Sequence, residues 1–166
     1  MEKKTIISGL LVLIWLIVIF ILSGMDTNES NDKSKSIVNN VVEKVDIITN
    51  ASDEQINNHK NSEFIQNANV IFRKCSHATV YFALAILVFN FVIRLWKKNL
   101  FFYDIVSLIF CFLYACSDEY HQTFVVGRTG SFVDVLIDTS GALIGLLLIN
   151  LVYVLVRKKV QKKVLA

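Results

Sequence analysis

The stretch that decides the fold is FVDVLIDTSGALIGLLLINLVYVLV, residues 132–156, a long and nearly unbroken apolar run. A helix needs roughly 20 residues to cross a hydrocarbon core of about 30 Å, because each residue adds about 1.5 Å. Further apolar runs cover residues 5–22, 78–96 and, somewhat shorter, 100–116. In lipid, a helix satisfies every backbone polar group within one segment. The sequence therefore predicts an all-α integral membrane bundle of four transmembrane helices.

The composition fits this class of protein. Of the 166 residues, 54% are hydrophobic, which is more than a soluble domain of this size carries. The three cysteines are too few for a disulfide framework, and a net charge of +3 is too small to indicate nucleic-acid binding. No second domain is indicated, so residues 1–166 are interpreted as one membrane domain.

The positive charges predict how the chain crosses the membrane. Cytoplasmic segments of membrane proteins are enriched in lysine and arginine. Four spans place the two termini and the link between spans two and three on one side. These segments carry ten basic residues: Lys3, Lys4, Arg94, Lys97, Lys98, Arg157, Lys158, Lys159, Lys162 and Lys163. We therefore predict that both termini are cytoplasmic and that residues 23–74 and 117–131 lie on the outer side.

The outer segment 23–74 is predicted to be mostly polar, with one amphipathic helix. Residues 23–35 are polar and are expected to be loose. Residues 50–62 are polar again. Between them, apolar residues recur at helical spacing and predict an extracellular amphipathic helix over 36–49. The helical pattern resumes near Glu63 and is expected to run on into the second span.

Charged and polar residues gather in the stretch DEYHQTFVVGR, residues 118–128. If the third helix continues past Cys116, then Asp118, His121 and Gln122 share one face by their i, i+3 and i, i+4 spacing. Glu119 would point about 100° away from Asp118, as 3.6 residues per turn requires. This arrangement can hold an acid–base or ligand pair, and it is equally compatible with a solvated helix end.

The fourth span adds two acidic residues. Ser131 and Asp134 have the spacing of a capping box, in which the acid accepts from the Ser131 backbone N–H. Asp138 lies one turn deeper, where an ionisable group is usually paired or functional, and Arg128 is its most obvious partner. His77 opens the second span on the same side. The predicted ligand-binding residues are therefore His77, Asp118, Glu119, His121, Gln122, Arg128, Asp134 and Asp138.

The stretch SDEYHQTFVVGRTGSFVDVLIDTSGALIG, residues 117–145, resembles the VanZ-like family of bacterial membrane proteins. The earlier stretches RKCSHATVYFALA, residues 73–85, and ILSGMD, residues 21–26, are similar to further elements of that family. Val126 departs from the resemblance where the family commonly has proline, and Val80 where an acidic or small polar residue is frequent. The resemblance implies a location in the bacterial cytoplasmic membrane, a cell-envelope role and glycopeptide (teicoplanin-type) resistance as a theme, without implying a reaction.

Three hypotheses for the function remain open. The first is recognition of an anionic amphiphile, namely a membrane lipid head group, a lipid-linked wall precursor or a lipoglycopeptide, by Arg128. The second is a hydrolase or transferase acting on a lipid-linked ester or phosphoester, with Glu119 and His121 as candidate catalytic residues. The third is a polar network that only stabilises helix packing.

No strong catalytic motif is present, and no cofactor, metal or nucleic-acid partner is predicted. An alternative in which His77, His121 and a carboxylate hold a metal stays open, as does the oligomeric state.

Overall fold

The computed structural model describes residues 2–24, 27–50 and 62–164, and these form five helices and no strand. The helices are α1 (Lys3–Ser23), α2 (Thr27–Thr49), α3 (Ser62–Leu95), α4 (Leu100–Gln122) and α5 (Phe132–Val164). The predicted all-α fold is confirmed.

Four of the described helices are long and apolar enough to cross a membrane. The segments are Lys3–Ser23, Glu63–Leu95, Leu100–Gln122 and Phe132–Val156. Large apolar side chains remain exposed along them, as Ile14, Leu113 and Leu147 illustrate. Such side chains are expected on surfaces that face lipid, because lipid tails solvate them. The prediction of a four-span membrane bundle is confirmed.

Helix α3 is the centre of the bundle and contacts each of the other four helices. Its buried face includes Tyr81, Leu84 and Ala85, which are fully enclosed. Two side chains from α1 and α4 fix neighbouring helices by hydrogen bonds to backbone carbonyls. Trp15 Nε1 donates to Val80 O at 3.0 Å, and the Tyr114 hydroxyl donates to Leu16 O at 2.7 Å.

Helices α3 and α5 pack closely because α5 presents glycine at the contact. A Cβ atom at Gly145 would lie 2.6 Å from Phe82 O, and one at Gly141 would overlap the backbone of Ala78 more severely. Glycine at both positions therefore allows the two helix backbones to approach closely. The contact places Ala78, next to His77, beside Gly141, which lies one turn beyond Asp138.

The predictions for residues 23–74 were partly right. The amphipathic helix predicted at 36–49 exists, but it starts at Thr27, so the loose segment predicted for 23–35 was wrong for residues 27–35. Helix α2 contacts α3 and buries Val38 against the bundle. Helix α3 begins at Ser62 and continues into the span, as predicted. Residues 51–61, most of the polar stretch predicted at 50–62, lie outside the described residues.

Candidate functional site

A polar cavity of about 250 Å³ opens where α3, α4 and α5 meet, at the end of the bundle that carries the loop 123–131. We call this end the loop end. Six of the eight predicted site residues line the cavity: His77, Glu119, Gln122, Arg128, Asp134 and Asp138. Asp118 lies beside His77 and Asp138, whereas His121 does not line the cavity. The structure thus brings together seven of the eight predicted residues.

The heights of these residues follow from the hairpin that α3 and α4 form. Only residues 96–99 separate the end of α3 from the start of α4. His77 lies 18 residues before Leu95, and Asp118 lies 18 residues after Leu100. Each is therefore about 27 Å along its helix from the link, at a rise of 1.5 Å per residue. Both side chains consequently reach the same level of the bundle.

The interior face of α4 differs from the predicted one. Asp118, Glu119 and Gln122 are all buried. His121 instead stacks on Phe20 of α1, with ring centroids 4.3 Å apart and an interplanar angle of 25°. His121 was predicted to lie with the other site residues, but it packs against α1 and does not line the cavity, whereas Glu119 does.

A hydrogen-bond chain through Gln122 connects the loop to α4. Gln122 Nε2 donates to Glu119 Oε1 at 3.1 Å and lies 3.5 Å from Asp118 Oδ2, while Arg128 Nη1 donates to Gln122 Oε1 at 3.1 Å. The second Glu119 oxygen accepts from the Ser131 backbone N–H at 2.9 Å. Arg128 as a whole is 9% exposed, so this chain positions its side chain within the protein rather than in solvent.

The loop needs glycine at two places to bring Arg128 back over α4. Gly127 has a φ of 77°, a left-handed conformation that side chains other than glycine rarely adopt. A Cβ atom at Gly130 would lie 2.8 Å from Glu119 O. These glycines therefore serve the turn and the packing of the loop.

The start of α5 corrects a second prediction. Because the Ser131 N–H donates to Glu119, Asp134 does not complete the expected capping box. Asp134 instead pairs with Lys74 of α3 at 2.9 Å, and both side chains are more than a third exposed. Asp138 Oδ2 lies 3.9 Å from His77 Nδ1. The basic neighbours of Asp134 and Asp138 in these two pairs therefore both come from α3. Sequence reasoning had pointed to Arg128.

Asp138 is the most enclosed of the charged groups. It is 0% exposed, and neither carboxylate oxygen accepts a hydrogen bond among the described residues. A cluster is formed by His77, Asp118 and Asp138. Each offers one imidazole nitrogen or carboxylate oxygen, and these three atoms lie within 4.8 Å of one another. Three helices therefore contribute one polar group each to a single point at the inner wall of the cavity.

Two basic residues of the cavity were missing from the predicted site, namely Arg73 and Lys74. A signal for both was present in the sequence. They lie four and three residues before His77 on the same helix, and such residues share a helix face. The predicted site nevertheless included neither basic residue.

A second cavity, of about 310 Å³, lies between α1, α2 and α3. Its lining is mainly apolar and includes Ile19, Leu22, Ile37, Phe72, Val80 and Tyr81. Arg73, His77 and Arg128 line both cavities. The polar cavity therefore shares part of its wall with the apolar cavity. The shared part includes the basic side chains of Arg73 and Arg128.

Together the fold and the site define a multi-pass membrane protein with a charged cavity at one end of its helix bundle. A family model described as VanZ/LLP1 matches residues 9–153, which is most of the chain. The chain therefore belongs to the VanZ/LLP1 family, as the resemblance in the sequence indicated. No curated protein and no solved structure gave a significant match to this chain.

Proposed function

We propose that this protein binds an anionic amphiphile at the loop end of the bundle. The observation that carries the proposal is the meeting of a polar and an apolar cavity at Arg73, His77 and Arg128. An amphiphile needs this combination, because its charged head requires hydrogen-bond donors while its chain requires an apolar surface. The ligand class comprises a membrane lipid head group, a lipid-linked wall precursor and a lipoglycopeptide.

Arg128 is the residue best placed to recognise the head group. A guanidinium presents several N–H donors in a planar fork that matches phosphate and carboxylate groups. In this protein the hydrogen bond from Nη1 to Gln122 fixes one edge of the fork, and the low exposure limits competition from water. A positioned guanidinium binds an anion more strongly than a mobile side chain, since less conformational entropy is lost on binding.

The basic segments support a position for this site on the outer side of the bacterial cytoplasmic membrane. Lys3, Lys4 and the link 96–99 lie at the opposite end of the bundle from the loop end. Lysine and arginine favour the cytoplasmic side, so we infer cytoplasmic termini. A ligand would then reach the site from the outer leaflet or the cell envelope. This position fits a cell-envelope role such as resistance to teicoplanin-type glycopeptides.

The contacts favour binding over catalysis by the predicted pair. Both Glu119 oxygens accept hydrogen bonds, one from Gln122 on the same helix and one from the Ser131 N–H of the loop, and the His121 ring lies against Phe20. A general acid and base must reach the same substrate atoms, whereas these two side chains face different neighbours. The hydrolase or transferase hypothesis therefore has less support from the site than ligand binding has.

Two substitutions of Arg128 test the proposal against a purely structural network. The purified full-length protein is titrated with phosphatidylglycerol and, separately, with a polyprenyl diphosphate, and phosphatidylcholine provides the zwitterionic comparison. We expect Arg128→Lys to weaken binding of at least one anionic probe, because lysine keeps the charge but lacks the fork. Arg128→Ala should weaken it at least tenfold, as expected for loss of hydrogen bonds to a charged group worth about 1.5–3 kcal/mol.

Arg94→Lys is the matched control, because Arg94 is exposed at the other end of α3. It should bind both anionic probes as the unmodified protein does. If Arg128 serves only the network, Arg128→Ala should lower the melting temperature while the folded protein binds the probes normally. A stable Arg128→Ala protein with unchanged binding would contradict the binding and the network hypotheses together.

A further inference from the structure

The point where α3, α4 and α5 converge has the donor set of a metal site. His77 offers an imidazole nitrogen, and Asp118 and Asp138 offer one carboxylate oxygen each, all within 4.8 Å of one another. Each residue comes from a different helix, so the three donors surround a point instead of lining one face. Nitrogen and carboxylate ligands of this kind are common around Zn²⁺ and Mn²⁺.

The burial of Asp138 is the independent observation that points to a ligand. Its side chain is 0% exposed, lines the cavity and accepts no hydrogen bond among the described residues. A buried carboxylate is costly unless it is paired, hydrogen-bonded or bound to a metal. His77 Nδ1, at 3.9 Å, is beyond hydrogen-bond distance. The cluster thus holds polar atoms whose bonding is incomplete in the protein alone.

We propose that His77, Asp118 and Asp138 bind one divalent cation, Zn²⁺ or Mn²⁺. Bonds of about 2.0–2.2 Å at a tetrahedral angle place two ligand atoms about 3.4 Å apart. The separation between His77 Nδ1 and Asp138 Oδ2 is 3.9 Å, so the two side chains must approach by about 0.5 Å when the ion binds. The two carboxylates supply the charge that balances the ion. The cavity leaves room for further ligands, either water or an oxygen of a bound head group.

The ion would also change the electrostatics of the cavity. Three basic side chains and three carboxylates line it: Arg73, Lys74, Arg128, Glu119, Asp134 and Asp138. Their formal charges cancel, so the protein groups alone give no excess of positive charge. A divalent cation adds that excess beside Arg128, which suits the anionic head group of the proposed function. Metal binding itself requires no amphiphile, so either proposal can fail without the other.

Metal binding to the full-length protein tests the site directly. The protein is purified in mild detergent, treated with a chelator and equilibrated with Zn²⁺ or Mn²⁺ alone, and bound metal is measured by mass spectrometry after removal of free ions. We expect about one ion per chain, with Mg²⁺ and Ca²⁺ bound at least tenfold more weakly. Asp138→Asn and His77→Gln should each weaken binding at least tenfold, since each removes one of three ligands.

His121→Gln and Asp104→Asn are the matched controls, because they remove the same side-chain types outside the cluster. Both should bind metal as the unmodified protein does. The metal should raise the melting temperature of these controls and not that of Asp138→Asn, whose own folding is checked by circular dichroism. Failure of the unmodified protein to bind either ion would overturn the proposal. Binding by Asp138→Asn and His77→Gln that equals the binding of the unmodified protein would overturn it as well.

Discussion

Replacement of Gly141 by alanine should destabilise the protein, although alanine is the better helix former. A Cβ atom at this position would overlap the carbonyl group of Ala78 in α3. Backbone atoms cannot move aside as a flexible side chain can, so α3 and α5 would have to separate. At the neighbouring contact, Gly145, the Cβ atom would lie 2.6 Å from Phe82 O, where ordinary contacts begin at 3.4 Å. The required separation is therefore about 0.8 Å at Gly145 and larger at Gly141.

The expected loss follows from two opposing effects. Alanine gains about 1 kcal/mol over glycine in a helix interior. Overpacking of a tight contact costs about 1–3 kcal/mol, and an overlap between backbones belongs at the upper end of that range. We therefore expect Gly141→Ala to lower the free energy of unfolding by about 1–2 kcal/mol.

Reversible unfolding in mixed detergent and denaturant measures this change. Gly9→Ala is the matched control, because a Cβ atom there meets only the ring of Phe91, at 3.0 Å, which can shift. Its stability should change by less than about 1 kcal/mol. If Gly141→Ala is as stable as the unmodified protein, or more stable, the close contact between α3 and α5 is wrong. The positions of His77 and Asp138 would then be in doubt as well.

Three further predictions concern topology and local contacts. With the native cysteines replaced, a cysteine at position 126, where Val126 is 78% exposed, should react with a membrane-impermeant thiol reagent in intact cells, and one at 163 should not; the reverse pattern would contradict cytoplasmic termini. Lys74→Ala should change the free energy of unfolding by less than about 1 kcal/mol, because its ion pair with Asp134 is partly exposed; a larger loss in thermal unfolding would show that the pair is structurally important. Trp15→Phe should destabilise the protein by about 1 kcal/mol through loss of its hydrogen bond to Val80 O, and an unchanged melting temperature would refute that role.

The spans were predictable because hydrophobic length depends on local sequence alone. The four apolar runs correspond to α1, α3, α4 and α5, with the ends shifted by up to a few turns. The start of α2 was not predictable in the same way. Residues 27–35 are polar, and the apolar stripe that indicates an amphipathic helix begins only at Ile37. In the structure, α2 packs against α3 and extends beyond that stripe, back to Thr27.

The composition of the site was predictable, but its internal geometry was only partly so. Helical spacing shows which residues of α4 share a face, but it does not show which face turns inward. Of the two predicted residues, Glu119 lines the cavity, whereas His121 packs against Phe20 of α1. The pairing of Asp134 with Lys74 joins residues 60 positions apart, which no local capping pattern reveals. The common level of His77 and Asp118 in the bundle was predictable, because each residue lies 18 positions from the end of its helix next to the link between α3 and α4.

The central claim is that an anionic amphiphile occupies the loop end, and native mass spectrometry tests it most directly. The protein is extracted from its own membrane in mild detergent, and the lipids that remain bound are identified for the unmodified chain and for Arg128→Ala. The account predicts an amphiphile bearing a phosphate or carboxylate, bound at about one per chain and lost in Arg128→Ala while the fold persists. Retention of only neutral or zwitterionic lipids, in equal amounts in both proteins, would contradict it.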